Sequence, residues 1–284
     1  MRLGIFARTF QRNSLEEILD AIVEHNIRAV HFNYACAGLA SLPEEIEEGA
    51  LQAIRKSFQD RNLDRVAVSG TFNAIHPDRE FRKKQTDLCC GVIRSAKPLG
   101  TGVVTLCTGT RDADNMWRRH PDNESEAAWK DLLATLEILV SVAEEEGTIL
   151  GIEPETANVI DSAPKARRLL DAMKTPTLKI VLDGANLFFP ETLDRMEEIL
   201  KEATDLLGPD LIMAHAKDIV HDPNRKSQAA GTGLLDYEIY LRCLSEAGFD
   251  GPLILHNLEE SEVETSLAFV REKASRFWNG EKTL

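Results

Sequence analysis

The chain has 284 residues, 43% hydrophobic and 28% charged, which supplies enough apolar surface for a sizeable core and enough length for one large α/β domain. Its 47 acidic against 33 basic side chains leave a net charge of −14, which repels the phosphates of a nucleic acid. No basic patch offsets that charge, because Arg82-Lys83-Lys84 and Arg167-Arg168 fall in helical patterns and read as solvated helix faces.

The amino terminus, MRLGIFART, runs straight into a strand-like segment without the long apolar core of a signal peptide. No later stretch approaches the roughly 20 apolar residues of a membrane span. The cysteines Cys36, Cys89, Cys90, Cys107 and Cys243 are odd in number and lack CxxC spacing, which argues against a disulfide framework. These features predict a cytoplasmic protein with no membrane partner and no nucleic-acid partner.

Short apolar runs recur at residues 3–6, 29–32, 66–69, 103–107, 149–153, 179–183, 211–215 and 253–255. Between them lie helical stripes such as Trp129, Leu132, Leu133, Leu136 and Val140, and later Val263, Leu267, Val270, Ala274 and Phe277. Ser14 with Glu17, and Ser41 before Pro43 with Glu44, read as capping boxes that start helices. Gly147, Gly208 and Gly248 read as their stops. No linker or low-complexity tract divides the chain. Eight strand and helix alternations predict a single α/β domain over residues 1–284, a (β/α)8 barrel.

Four of the later runs end in a metal-ligating side chain: Glu153 in LGIEP, Asp183 in KIVLDGAN, His215 in LIMAHAKD and His256 in PLILHNLEE. In a parallel barrel such strand ends share one rim, so Glu153, Asp183, His215 and His256 form an expected divalent-metal site. A carboxylate ending an apolar strand is costly to bury unless a cation, hydrogen-bond donors or a basic neighbour compensates it. The alternative for His256 is a hydrogen-bonded core histidine. Imidazoles in an oxygen-rich set shift preference from magnesium towards manganese, cobalt, zinc or iron, and manganese is the favoured ion. A cation left open at one or two positions would grip adjacent oxygens of a hydroxy-carbonyl substrate, acidify the intervening C–H and stabilise an enediolate. Glu153 and His256 are the expected catalytic groups, with Glu153 or a nearby carboxylate moving the proton.

Other rim residues are candidate substrate contacts, each with a plainer alternative. Asn73 and His76 follow the third strand and offer hydrogen bonds to hydroxyls, or His76 fixes its loop against backbone carbonyls. Arg111, Trp117 and His120 sit in the long loop CTGTRDADNMWRRHPDNE, where a guanidinium and an indole suit an anionic or sugar-like group, or where Trp117 packs the loop down. Glu155 points at a sugar hydroxyl or at water. Lys217 and Asp218 orient the site or form a surface ion pair. Gly231 and Gly233, in the second long loop KDIVHDPNRKSQAAGTGLLDY, either offer amides to a phosphate or make a turn.

The order Glu153, Asp183, His215, with LDGAN, HAKD and GTGLLDY around them, resembles the sugar phosphate isomerase/epimerase family, the xylose-isomerase-like TIM barrels. The resemblance covers nearly the whole chain and implies a metal-dependent isomerase or epimerase acting on a small sugar, ketose or hydroxy-keto acid, with or without a phosphate. The family's epimerases hold their metal with Glu, Asp, His and a second Glu on the eighth strand, where this chain has His256, with Glu259 or Glu260 three and four residues on. A substrate-touching histidine found after LDxx in some members is replaced by Asn186. With one secure carboxylate base, a 1,2-isomerisation is better supported than a two-base epimerisation. Two other readings share the fold: an apurinic-endonuclease-like phosphodiester hydrolase and a non-catalytic metal or sugar binder. The expected partner is a small carbohydrate, with pairing into a homo-oligomer open.

Overall fold

The structure is a computed structural model that describes residues 1–220 and 228–278. Eight parallel strands close into a barrel in strict chain order. They are β1 Arg2–Phe6, β2 Ala29–Phe32, β3 Asp64–Ser69, β4 Val103–Cys107, β5 Ile149–Glu153, β6 Leu178–Asp183, β7 Leu211–Ala216 and β8 Pro252–Leu255. Eight helices alternate with them: α1 Leu15–Glu24, α2 Glu48–Asp60, α3 Arg79–Leu99, α4 Glu126–Glu146, α5 Ala163–Met173, α6 Met196–Leu207, α7 Tyr237–Glu246 and α8 Val263–Ala274. The strands read as continuous apolar runs because both faces are covered, one by helices and the other by the barrel's own interior.

The start and stop signals divide by their local chemistry. Ser14 Oγ accepts from the Glu17 amide at 3.2 Å, and the Glu17 carboxylate reaches back to the Asn13 amide at 3.1 Å, one residue ahead of the cap. The expected helix at Ser41 is not there. Residues 41–47 are irregular and α2 begins only at Glu48. Pro43 disfavours a helical Leu42, and the Glu44 carboxylate is drawn 2.8 Å from Lys84 on α3 instead of back to a cap. Gly147 and Gly248 take the left-handed backbone that ends a helix cheaply without a side chain, whereas Gly208, at φ −46°, stays helical and leads into a short 3-10 turn.

Two apolar clusters hold the barrel. The larger lies between the strands and the helical ring. The smaller joins Ala67 of β3 with Val181, Met213 and Ile254 of the adjacent β6, β7 and β8, a contact made through the barrel interior. These residues stand two positions before Ser69, Asp183, His215 and His256, and a strand puts i and i+2 on the same face. The interior therefore carries an apolar layer directly beneath a polar one. All five cysteines are buried and free. Among the described residues, no helix is long and apolar enough to cross a membrane. Lys83 with Asp87, Lys84 with Glu44 and Arg167 with Asp171 and Asp210 are ion pairs on the helix surfaces, whereas Arg82 departs from the expected solvated face: its side chain is 11% exposed and pairs with Asp131.

Candidate metal centre and its cavity

Strand register assembles the polar layer. Asp183 on β6 pairs directly with His215 on β7, and Cys107 on β4 pairs with Glu153 on β5. The donor atoms of Glu153, Asp183 and His215 accordingly lie within 4.8 Å of one another, and all three side chains are buried. His215 Nδ1 is 3.2 Å from Glu153 Oε1 and 3.7 Å from Asp183 Oδ2. Asn186 donates to Glu153 Oε1 at 2.7 Å, and Lys217 Nζ stands 3.5 Å from Asp183 Oδ2.

The charges on these groups follow from burial and proximity. Burial works against the charge on Asp183, yet Lys217 and His215 hold its carboxyl well below the usual range. Burial likewise opposes a charged His215, but Glu153 and Asp183 carry it up to about 9. Glu155 is pushed up to about 7 by burial, with Lys217 pulling the other way. His256 and His31 are driven well below the normal histidine range, first by burial and then by the neighbouring His215. Two buried polar atoms of the triad, Asp183 Oδ2 and His215 Nε2, have no hydrogen-bond partner. A buried set of ligating side chains with unpartnered polar atoms is what a cation would complete.

A cavity of about 680 Å³ opens above this layer, lined by Glu153, Glu155, His215, Lys217 and His256, with His31 on the opposite side and Trp117 at the mouth. His256 sits on the first residue past β8, with its ring centroid 4.9 Å from that of His215 and its Nδ1 buried and unpartnered. It neighbours the triad without being among the three residues whose donor atoms converge. Glu260 is engaged by Arg12 at 2.6 Å, and Glu259 is exposed at the start of the turn leading into α8.

The other predicted contacts separate into two groups. Glu155 and Trp117 line the cavity, Trp117 with 53% of its surface exposed, and Asn186 touches it through Glu153. Asn73, His76, Arg111 and His120 are taken up in holding loops together. Asn73 accepts from the Thr110 amide at 2.9 Å and donates to the Asp112 carbonyl at 3.2 Å. His76 contacts the Ala113 carbonyl at 3.0 Å. Arg111 bridges the Ile75 carbonyl and Asp131, and His120 caps the Asp122 amide. Gly109 permits this packing: its φ is +76°, and a Cβ there would meet Asn73 Oδ1 at 2.2 Å. In the loop after β7, residues 221–227 lie outside the described residues. The remainder is organised by Asp218, whose carboxylate accepts from the amides of Ile219, Gly231, Thr232 and Leu235 at 2.8 to 3.1 Å. The amides of Gly231 and its neighbour are therefore not open to a phosphate.

Lys217, read as an orienting group or a surface ion pair, is 8% exposed and ion-paired with Asp183. His31 and other wall residues of the cavity, Arg8 among them, were not singled out from the sequence. His31 interrupts the apolar run AVHF, and that single polar residue inside a buried strand was the available signal.

Residues 19–273 match the model of a family described as xylose isomerase-like TIM barrel. The chain belongs to that family. A ketose 3-epimerase of Arthrobacter globiformis is 26% identical to this xylose isomerase-like barrel over 111 residues, 39% of this chain and 34% of that protein. The match thus spans about a third of the curated relative. Among solved structures, a D-tagatose 3-epimerase-like protein superposes with a TM-score of 0.77 at 17% identity, covering 98% of each chain. The apo 3-keto-D-glucoside 4-epimerase of E. coli gives 0.75 at 18% identity over 96% of this chain and 99% of its own. The IOLI protein with a bound zinc atom gives 0.75 at 18%, over 99% and 100%. At these identities the structural likeness speaks for the fold.

Proposed function

We propose that this xylose isomerase-like barrel is a divalent-metal-dependent isomerase or epimerase of a small sugar, ketose or hydroxy-keto acid. The observation that carries the reading is the convergence of Glu153, Asp183 and His215 on three adjacent strands at the floor of the rim cavity. Glu153, Asp183 and His215 would hold the cation, manganese being favoured, and the cation would polarise the substrate carbonyl and acidify the neighbouring C–H.

The chain's own residues supply the rest. Glu153 Oε1 accepts from Asn186 and faces His215, so it would turn to the cation once the imidazole gives up its proton. Oε2, with the Cys107 thiol 4.0 Å away, would take the carbon-bound proton and return it to the adjacent carbon while the hydroxyl proton passes to the former carbonyl oxygen. Asn186 fixes the carboxylate's orientation. Lys217 keeps Asp183 ionised and adds positive charge beside the developing enediolate. Trp117 shields the cavity mouth from water. His256 at the end of β8, where a second carboxylate would serve a two-base epimerisation, favours proton transfer by one base and hence a 1,2-isomerisation.

The test is a proton-exchange screen of ketoses, aldoses and hydroxy-keto acids in deuterated buffer with added manganese. Deuterium is expected at a carbon next to the carbonyl of at least one compound. Stoichiometric metal binding without exchange in any of them would leave a binding protein rather than an enzyme.

A second expected result follows from the proton on His215. A cation displaces it, so below about 9 the metal affinity rises with pH by up to about tenfold per unit and levels off above that value. Competition titrations between about pH 6.5 and 8.5 should show this slope. A flat profile would mean that the imidazole is already neutral before the metal arrives.

A further inference from the structure

His31 is the buried polar side chain that the proposed proton transfer does not use. It lies in the middle of β2, is 4% exposed, and breaks a strand that is otherwise apolar. Its Nε2 is 3.0 Å from Thr105 Oγ1, while its Nδ1 is buried without a partner. Burying an imidazole nitrogen unpaired is costly, and the residue lines the cavity. The ring stacks on that of His215 with centroids 5.9 Å apart and planes inclined by 23°, so it flanks the reacting end of the site.

Asn33, Ser69, Thr71 and Thr105 line the cavity together with His31, while Arg8, Glu153, Glu155 and Lys217 bring charge to it. An amide, three hydroxyls and an imidazole can each donate and accept, which suits substrate hydroxyl groups.

We infer that His31 binds a hydroxyl group of the substrate directly through Nδ1. This rests on the proposed function and adds a substrate contact to it. Whichever of Thr105 and His31 donates in their hydrogen bond, Nδ1 is left with the complementary role, and a substrate hydroxyl satisfies either one.

The experiment compares parent, His31→Leu and His31→Gln proteins, metal-loaded and metal-free, using compounds that are positive in the exchange screen. Binding is read by calorimetry, and turnover by separate KM and kcat. His31→Leu is expected to weaken substrate binding and raise KM by about 10- to 100-fold, with kcat changed far less and metal affinity unchanged. His31→Gln should recover part of the loss. Because a substituted core strand can fail to fold, the parent protein labelled with nitrogen-15 at histidine supplies a second measurement: the Nδ1 resonance of His31 should shift when substrate binds. Unchanged binding in His31→Leu, or an unmoved Nδ1 resonance, overturns the contact. If no compound of the exchange screen, sugar or hydroxy-keto acid, binds or exchanges, the proposed function itself falls and this inference with it.

Discussion

In Glu153→Gln, exchange of the substrate's carbon-bound proton is expected to fall by about 10² to 10⁴-fold at saturating metal, the range for loss of a general base. The substitution keeps the shape of the side chain, and its carbonyl oxygen can still accept from Asn186, which now meets Glu153 Oε1 at 2.7 Å. What disappears is a basic oxygen at the Oε2 position. Removing a carboxylate from the triad also weakens metal binding, so rates must be compared once each protein is fully loaded, and bound metal must be measured alongside. Near-normal exchange in the loaded variant would hand the proton to another group. Glu155 is the foremost candidate, because it lines the same cavity.

Asp183→Asn should show its largest effect in metal affinity and stability rather than in the proton-transfer step. Asp183 is fully buried, would ligate from the strand between those of Glu153 and His215, and neutralises Lys217. Substituting even an indirect partner of a metal ligand costs about 10- to 100-fold in affinity, and loss of a ligating carboxylate is expected to exceed about 100-fold. Lys217 would remain buried with less compensation, which costs about 3 kcal/mol when one partner of a buried pair is removed. Metal titration and thermal unfolding of the metal-free protein measure the two effects separately. Parent-like metal affinity in this variant would show that the cation binds elsewhere.

The strands were legible because each is a short apolar run buried on both faces, and because Glu153, Asp183 and His215 end such runs in the same phase. Their convergence follows from register alone, since Asp183 pairs with His215 and β5 adjoins β6. Loop residues were less readable. Asn73, His76, Arg111 and His120 carry side chains suited to a sugar, but nearby carbonyls, amides and Asp131 claim them, and sequence does not say which partner a polar loop residue takes. His31 was missed for a different reason: attention to strand ends passes over a polar residue one position earlier, although inward facing puts it on the cavity wall. The capping pattern at Ser41 failed because Pro43 and the Lys84 partner of Glu44 outweigh it.

The apolar layer of Ala67, Val181, Met213 and Ile254 makes the cavity blind-ended. Among the described residues that layer closes the barrel from below, and arriving and departing molecules pass the opening beside Trp117. Product must leave before the next substrate enters, and product inhibition in steady-state kinetics is therefore expected to be competitive with substrate. Traffic at the mouth, set by the loop after β4, then limits throughput whenever the chemical step is fast.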